Sequence, residues 1–135
     1  YAARPDSDRR LPRRRAPRGN GLTLTGNAQN LIINSWSGAL PKEGQAGAAL
    51  YAFVPYKWEP EKWYHLKMSV AKSDKGAVVR GKAWPAGEKE PEKWTLDLVD
   101  PLPNTEGSPG LFGESGVTPN KSEIYYDNVV VSPNK

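Results

Sequence analysis

Proline and glycine punctuate this chain so densely that long helices are ruled out. Thirteen of each are spread over 135 residues. Proline removes an amide that a helix interior needs, and glycine adds to the entropic cost of ordering one. Between these breakers lie short runs rich in β-branched and aromatic residues, several of them alternating apolar and polar. Strands are expected at residues 22–25, 31–36, 48–56, 63–70, 77–84, 94–99, 110–113 and 123–131. Turn formers separate them, at Gly26-Asn27, 41–47, Glu59-Pro60, 73–76, 85–91, 101–109 and Pro119-Asn120. Short strands at this spacing predict an all-β fold, a sandwich or a barrel, rather than alternating strands and helices. A chain of this length buries one core and not two.

Two hairpin features are legible in detail. His65 to Val70 alternates polar and apolar, and Ser73-Asp74-Lys75-Gly76 then turns the chain into a second strand. Gly76 supplies the positive φ that so tight a loop requires. In that second strand Val79, Gly81 and Ala83 share one face, with Val78, Arg80, Lys82 and Trp84 on the other. The final run, 123–131, is expected to be a strand buried on both faces near Val129 to Val131.

Charge is unevenly placed. The first twenty residues carry seven arginines against Asp6 and Asp8, while the remainder carries twelve basic against thirteen acidic side chains. The high isoelectric point therefore belongs to an Arg/Pro-rich arm, residues 1–20, and the body, residues 21–135, is close to neutral. Arg13, Arg14 and Arg15 are candidate partner-binding residues. No aromatic residue interleaves with them and no nucleic-acid module follows, so no nucleic acid is expected as a partner. The chain has no cysteine, which excludes disulfides, thiolate metal sites and a cysteine nucleophile. No stretch approaches the ~18 consecutive apolar residues of a membrane helix, so no transmembrane segment is expected. The chain begins at Tyr1, as a processed product or a piece of a longer polypeptide would.

A set of motifs carries a resemblance. It runs from Trp58-Glu59-Pro60-Glu61-Lys62-Trp63-Tyr64-His65-Leu66-Lys67 through Lys82-Ala83-Trp84 and Glu88-Lys89-Glu90-Pro91-Glu92-Lys93-Trp94. It ends with Gly107-Ser108-Pro109-Gly110-Leu111-Phe112-Gly113 and Tyr125-Tyr126-Asp127-Asn128-Val129. Together these resemble the concanavalin A-like (laminin-G-like) jelly-roll modules of exported bacterial proteins. The likeness is to the module at the C-terminal end of proteins with pyrroloquinoline-quinone-type β-propeller repeats, and more distantly to family 16 glycoside-hydrolase-like domains. It implies an all-β, antiparallel two-sheet sandwich, a lectin-like jelly roll, in an extracytoplasmic setting, periplasm or cell surface. Such modules are longer and carry further strands before the point where this chain begins. A partial module lacking N-terminal strands would leave a sheet edge or apolar face open, to be covered by a partner. The resemblance does not fix an activity, since folds host many functions.

The residues argue against catalysis. The hydrolase relatives place alternating Glu, Asp and Glu along one strand, so that two carboxylates flank the scissile bond. This chain lacks that run; Glu88, Glu90 and Glu92 alternate within a polar loop and read as a solvated turn, and Asp97 and Asp100 are similar. His65 is the only histidine and reads as a surface or half-buried strand residue. No catalytic residue and no cofactor is expected. Calcium enters only through the resemblance, which implies Asp127 on the last strand as a ligand, although a shell of six to eight oxygens would be required.

Aromatic residues are the strongest functional signal. Sugar rings present apolar C–H faces that lie on exposed Trp or Tyr, while polar side chains bond the hydroxyls. Trp36, Trp58 and Tyr56, beside turn residues, are the candidate glycan-binding set. Trp63, Trp84 and Trp94 are expected to pack in the core or between the sheets. The expected partner is thus a glycan or, alternatively, a larger protein assembly against which an accessory subunit packs through its arginine arm and open sheet edge.

Overall fold

The computed structural model describes residues 19–36, 50–113 and 123–134, with the side chains of Trp36 and Leu50 outside that description. Among these residues, six strands form two antiparallel sheets. The first sheet is the meander β1 (Gly19–Thr25), β2 (Asn30–Trp36) and β3 (Leu50–Pro55). The second is the meander β4 (Tyr64–Ser73), β5 (Gly76–Pro85) and β6 (Leu96–Asp100). Among the described residues there is no helix, and the architecture is the all-β two-sheet sandwich that the sequence predicts.

Alternation selects the core. Leu22 and Leu24 of β1, Leu31, Ile33 and Ser35 of β2, and Ala52 and Val54 of β3 turn one way. They meet Val79 and Ala83 of β5 and Leu96 and Leu98 of β6. Leu31, Ile33 and Val79 are wholly buried. Each such side chain contributes about 1.5–3 kcal/mol of transfer free energy. Gly81 lies between Val79 and Ala83 on one face of β5, as the sequence pattern anticipates, and that face turns inward. A Cβ there would come within 2.5 Å of Leu22 Cδ1 and 3.2 Å of Ile33 Cδ1, so its bare backbone lets the two sheets approach.

The β4–β5 hairpin closes through Asp74-Lys75, with Ser73 opposite Gly76. Gly76 has φ of 119°, and a Cβ would sit 2.1 Å from the Asp100 carbonyl oxygen. The turn therefore needs glycine both for its backbone angle and for the close approach of β6. Between β1 and β2 the reversal is longer. Gln29, at φ 49°, donates its side-chain amide to the Gly26 carbonyl, and Thr25 Oγ1 bonds both backbone groups of Asn30.

Several expectations are corrected. Residues 110–113 and 123–131 form no strand. Gly110 and Gly113 leave the first of these with little side chain to pack. In the second, Asn128 adopts φ of 53° and its amide is taken by Asp127 Oδ1, which breaks the extended run that the flanking tyrosines and valines favour. Val129 to Val131 are exposed rather than buried, Val130 to 84%. β1 starts at Gly19, two residues before the boundary drawn between arm and body. The arm residues Arg13, Arg14 and Arg15 lie outside the described residues.

Candidate ligand-binding face

The outer face of the first sheet gathers an aromatic pair. Because Ala52 and Val54 turn into the core, Tyr51 and Phe53 on the same strand turn out. Their rings stand 6.0 Å apart at an interplanar angle of 22°, and they are 63% and 55% exposed. The register places Asn34 beside Tyr51 and Ile32 beside Phe53, with Thr23 of β1 beyond Ile32. β3 is an edge strand, so the pair also borders open solvent. Two nearly parallel exposed rings with a flanking carboxamide form a shallow platform able to stack on one apolar face of a ligand and bond a hydroxyl beside it.

Two of the sequence-derived set, Tyr56 and Trp58, occupy a different place. Tyr56 continues β3, its amide donating to the Gln29 carbonyl at 2.7 Å. Its ring packs against the core and meets Tyr64 edge-on at 6.2 Å. Burial, with the neighbouring Tyr64 and Glu88, pushes its phenol above the ordinary tyrosine range. Trp58 is half-buried against the β1–β2 turn. Its indole N–H donates to the Thr25 carbonyl at 2.9 Å, and its backbone amide donates to Gln29 Oε1 at 2.7 Å. Tyr56 and Trp58 are brought together, but as a bracket fastening the turn rather than as a flat exposed platform. Trp36 ends β2 opposite Gly19, two residues beyond Asn34. Its side chain lies outside the described residues.

The outer face of the second sheet is organised by charge. Lys82, only 5% exposed at its side chain, bonds the Pro91 carbonyl and Glu90 Oε1, the latter at 2.7 Å. Its ammonium lies 4.9 Å from the Trp94 ring centroid and 5.8 Å from that of Trp84. Trp84 in turn lies 5.1 Å from the exposed ring of His65. Glu90 also accepts from Lys67 at 2.7 Å, and the hydrogen bonds from Lys67 and Lys82 bring its carboxyl down to about 2. Arg80 pairs with Asp97 at 2.8 Å. Trp84 and Trp94 therefore flank a buried lysine on the outside of the sheet, and Trp63 is exposed; none of the three sits in the inter-sheet core expected for them. The reason is parity: Trp84 shares the outward face with Lys82, as the alternation of β5 requires.

No protein family, curated protein or solved structure matches this chain. Function therefore rests on its own surfaces.

Three of the carboxylates singled out in the sequence are held firmly. Glu90 is held by lysines, Asp97 by Arg80, and Asp100 is buried against Ser35. Asp127 is exposed and accepts from the Asn128 amide, and among the described residues no group of three potential metal ligands gathers around it. Tyr51 and Phe53 were not among the sequence-derived candidates. The pattern that marks them is Tyr-Ala-Phe-Val, in which the smaller member of each pair fits the core and the larger is left outside. That choice becomes readable only once the inward face of β2 is known.

Proposed function

We propose that this chain is a non-catalytic binding module whose outer first-sheet face binds glycans. Tyr51 and Phe53 would stack on a sugar ring, and Asn34 would bond its hydroxyls. The observation that carries this reading is the pair itself: two large aromatic rings, nearly parallel, more than half exposed, side by side beside a polar amide. Large exposed aromatic groups on a soluble fold cost solvation and mark contact sites when they cluster. The resemblance to lectin-like jelly-roll modules of exported proteins supports the same reading, and with it an extracytoplasmic setting.

The test is glycan-array screening followed by titration calorimetry on any hit. Tyr51→Ala and Phe53→Ala are each expected to weaken binding about tenfold or more, in line with loss of an aromatic contact of ~0.5–1.5 kcal/mol plus its buried area. Binding that survives both substitutions unchanged, or a protein that retains no glycan at all, would refute the proposal.

A further inference from the structure

Among the described residues, the second sheet ends on a strand that pairs on one side only and is equipped to pair on the other. β4 is ten residues long and lies at the sheet edge. Its Leu66, Met68 and Val70 sit opposite Ala83, Gly81 and Val79, so they belong to the inner, core-facing side. The first sheet covers them only in part, and they remain 46%, 37% and 38% exposed. The same three residues govern the free edge. Asn134 donates its side-chain amide to the Val70 carbonyl, which must therefore point away from β5. In an antiparallel ladder that direction repeats every second residue, so the main-chain groups of Leu66, Met68 and Lys72 point outward as well. Among the described residues, exposed apolar side chains and outward main-chain groups without a strand partner thus coincide along one edge. β4 has no bulge and no proline, which ordinarily blunt such edges, and the one inward-facing charge in its apolar row, Lys72, lies beyond Val70 near the end of the strand.

We propose that a second copy of this chain docks on this edge, the two β4 strands running antiparallel about a two-fold axis at Met68. The sequence of the strand is self-complementary in that register. Met68 meets its own symmetry mate, and Leu66 meets Val70 of the second copy, joining the two apolar rows into one. On the outer face Lys67 meets Ser69 and His65 meets Ala71, so no like charges are opposed. Centring on Lys67 would set lysine against lysine, and centring on Ser69 would set Leu66 against Lys72. An axis at Met68 is the arrangement in which all three apolar positions match. Asn134, which also accepts from Ser69 Oγ at 3.1 Å, occupies one edge carbonyl and must be displaced when the copies pair.

The absence of cysteine makes the register directly testable. Directly opposed, hydrogen-bonded residues of an antiparallel pair have Cα atoms about 5.5 Å apart, within the ~4.4–6.8 Å span of a disulfide. Under mild oxidation Met68→Cys should give a covalent dimer of the full chain. Leu66→Cys should not, because the two substituted positions lie four residues apart along the pair, about 13 Å. Sedimentation of the unmodified chain should show a monomer–dimer equilibrium. Leu66→Lys should shift it towards monomer with an unchanged circular dichroism spectrum, and Asn134→Ala should shift it towards dimer. The proposal is overturned by a wild-type chain that stays monomeric at about millimolar concentration, or by equal cross-linking of the two cysteine variants. Amide protection of residues 123–131 that disappears in Leu66→Lys would equally overturn it, assigning the edge to the chain's own C-terminal segment.

Discussion

The Ser35 hydroxyl donates to Asp100 Oδ2 across 2.6 Å inside the sandwich, joining β2 of one sheet to β6 of the other. Ser35 is 1% and Asp100 2% exposed, so neither group can exchange its partner for water. The other carboxylate oxygen accepts from the Leu102 amide at 2.9 Å, which fixes the chain as it leaves β6. Removing the hydroxyl leaves a buried carboxylate with one of its two contacts. Ser35→Ala is therefore expected to cost about 1–3 kcal/mol, read as a lowered urea midpoint with an unchanged slope. Asp100→Asn, which keeps an acceptor for the Ser35 hydroxyl, should cost less than Asp100→Ala. Equal losses for the two Asp100 variants would mean that the inter-sheet hydrogen bond contributes little.

Gly81 sets the distance between the sheets on the other side of the core. A methyl group there would press on Leu22 Cδ1 at 2.5 Å and on Ile33 at 3.2–3.3 Å. Leu22 lies on an edge strand and can yield, whereas Ile33 is wholly buried in the central strand of its sheet. Gly81→Ala should destabilise by about 1–3 kcal/mol through overpacking. Leu22→Val removes the closest atom, so Gly81→Ala combined with Leu22→Val should lose less than the sum of the two single changes. A double-mutant cycle by chemical denaturation reads this directly, and strict additivity would show that Leu22 is not the obstacle.

What could be read from the sequence was local. The Asp74-Lys75 turn, the positive φ of Gly76 and the shared face of Val79, Gly81 and Ala83 all follow from neighbouring residues and strand parity. The outward placement of Tyr51 and Phe53 did not, because residues 50–55 are apolar on both faces and only pairing with β2 decides which face is covered. Lys82 offered no local sign either; it is buried by Trp84, Trp94 and a loop residue, Glu90, that the chain brings back from the far side of a turn. In residues 123–131 the error ran the other way. The β propensity of Tyr125, Tyr126 and Val129 to Val131 outweighed, on the page, the turn chemistry of Asp127-Asn128 that interrupts the run.

Glu90 predicts a pH effect whose sign is fixed. Its hydrogen bonds with Lys67 and then Lys82 lower its carboxyl from the ordinary 4.5 to about 2. A carboxylate depressed on folding stabilises the native state above its unfolded value and loses that contribution as pH falls through the folded one. The difference in melting temperature between wild type and Glu90→Gln should thus be full above about pH 4.5 and shrink towards pH 2. Glu90 is itself exposed, so the difference should also narrow in high salt. A gap that stays constant across this pH range would place the contribution of Glu90 outside its charge.

Trp58 separates the bracket at the β1–β2 turn from the aromatic platform on the face of the sheet. Its indole N–H satisfies the Thr25 carbonyl at the point where β1 ends, and its ring rests 3.7 Å from where a Gly26 Cβ would stand. Trp58→Phe keeps much of the ring contact but gives up the donor, with an expected loss of about 0.5–1.5 kcal/mol. Faster amide exchange should appear at Gln29 and Asn30, the residues the bracket holds in register. Glycan affinity should stay within about twofold of wild type, because a change below ~0.4 kcal/mol is all that a remote bracket would transmit. Titration calorimetry on Trp58→Phe beside Tyr51→Ala decides the matter. A tenfold loss of affinity in Trp58→Phe, with Tyr51→Ala unaffected, would move the binding face from the rings of β3 to the turn that Trp58 encloses.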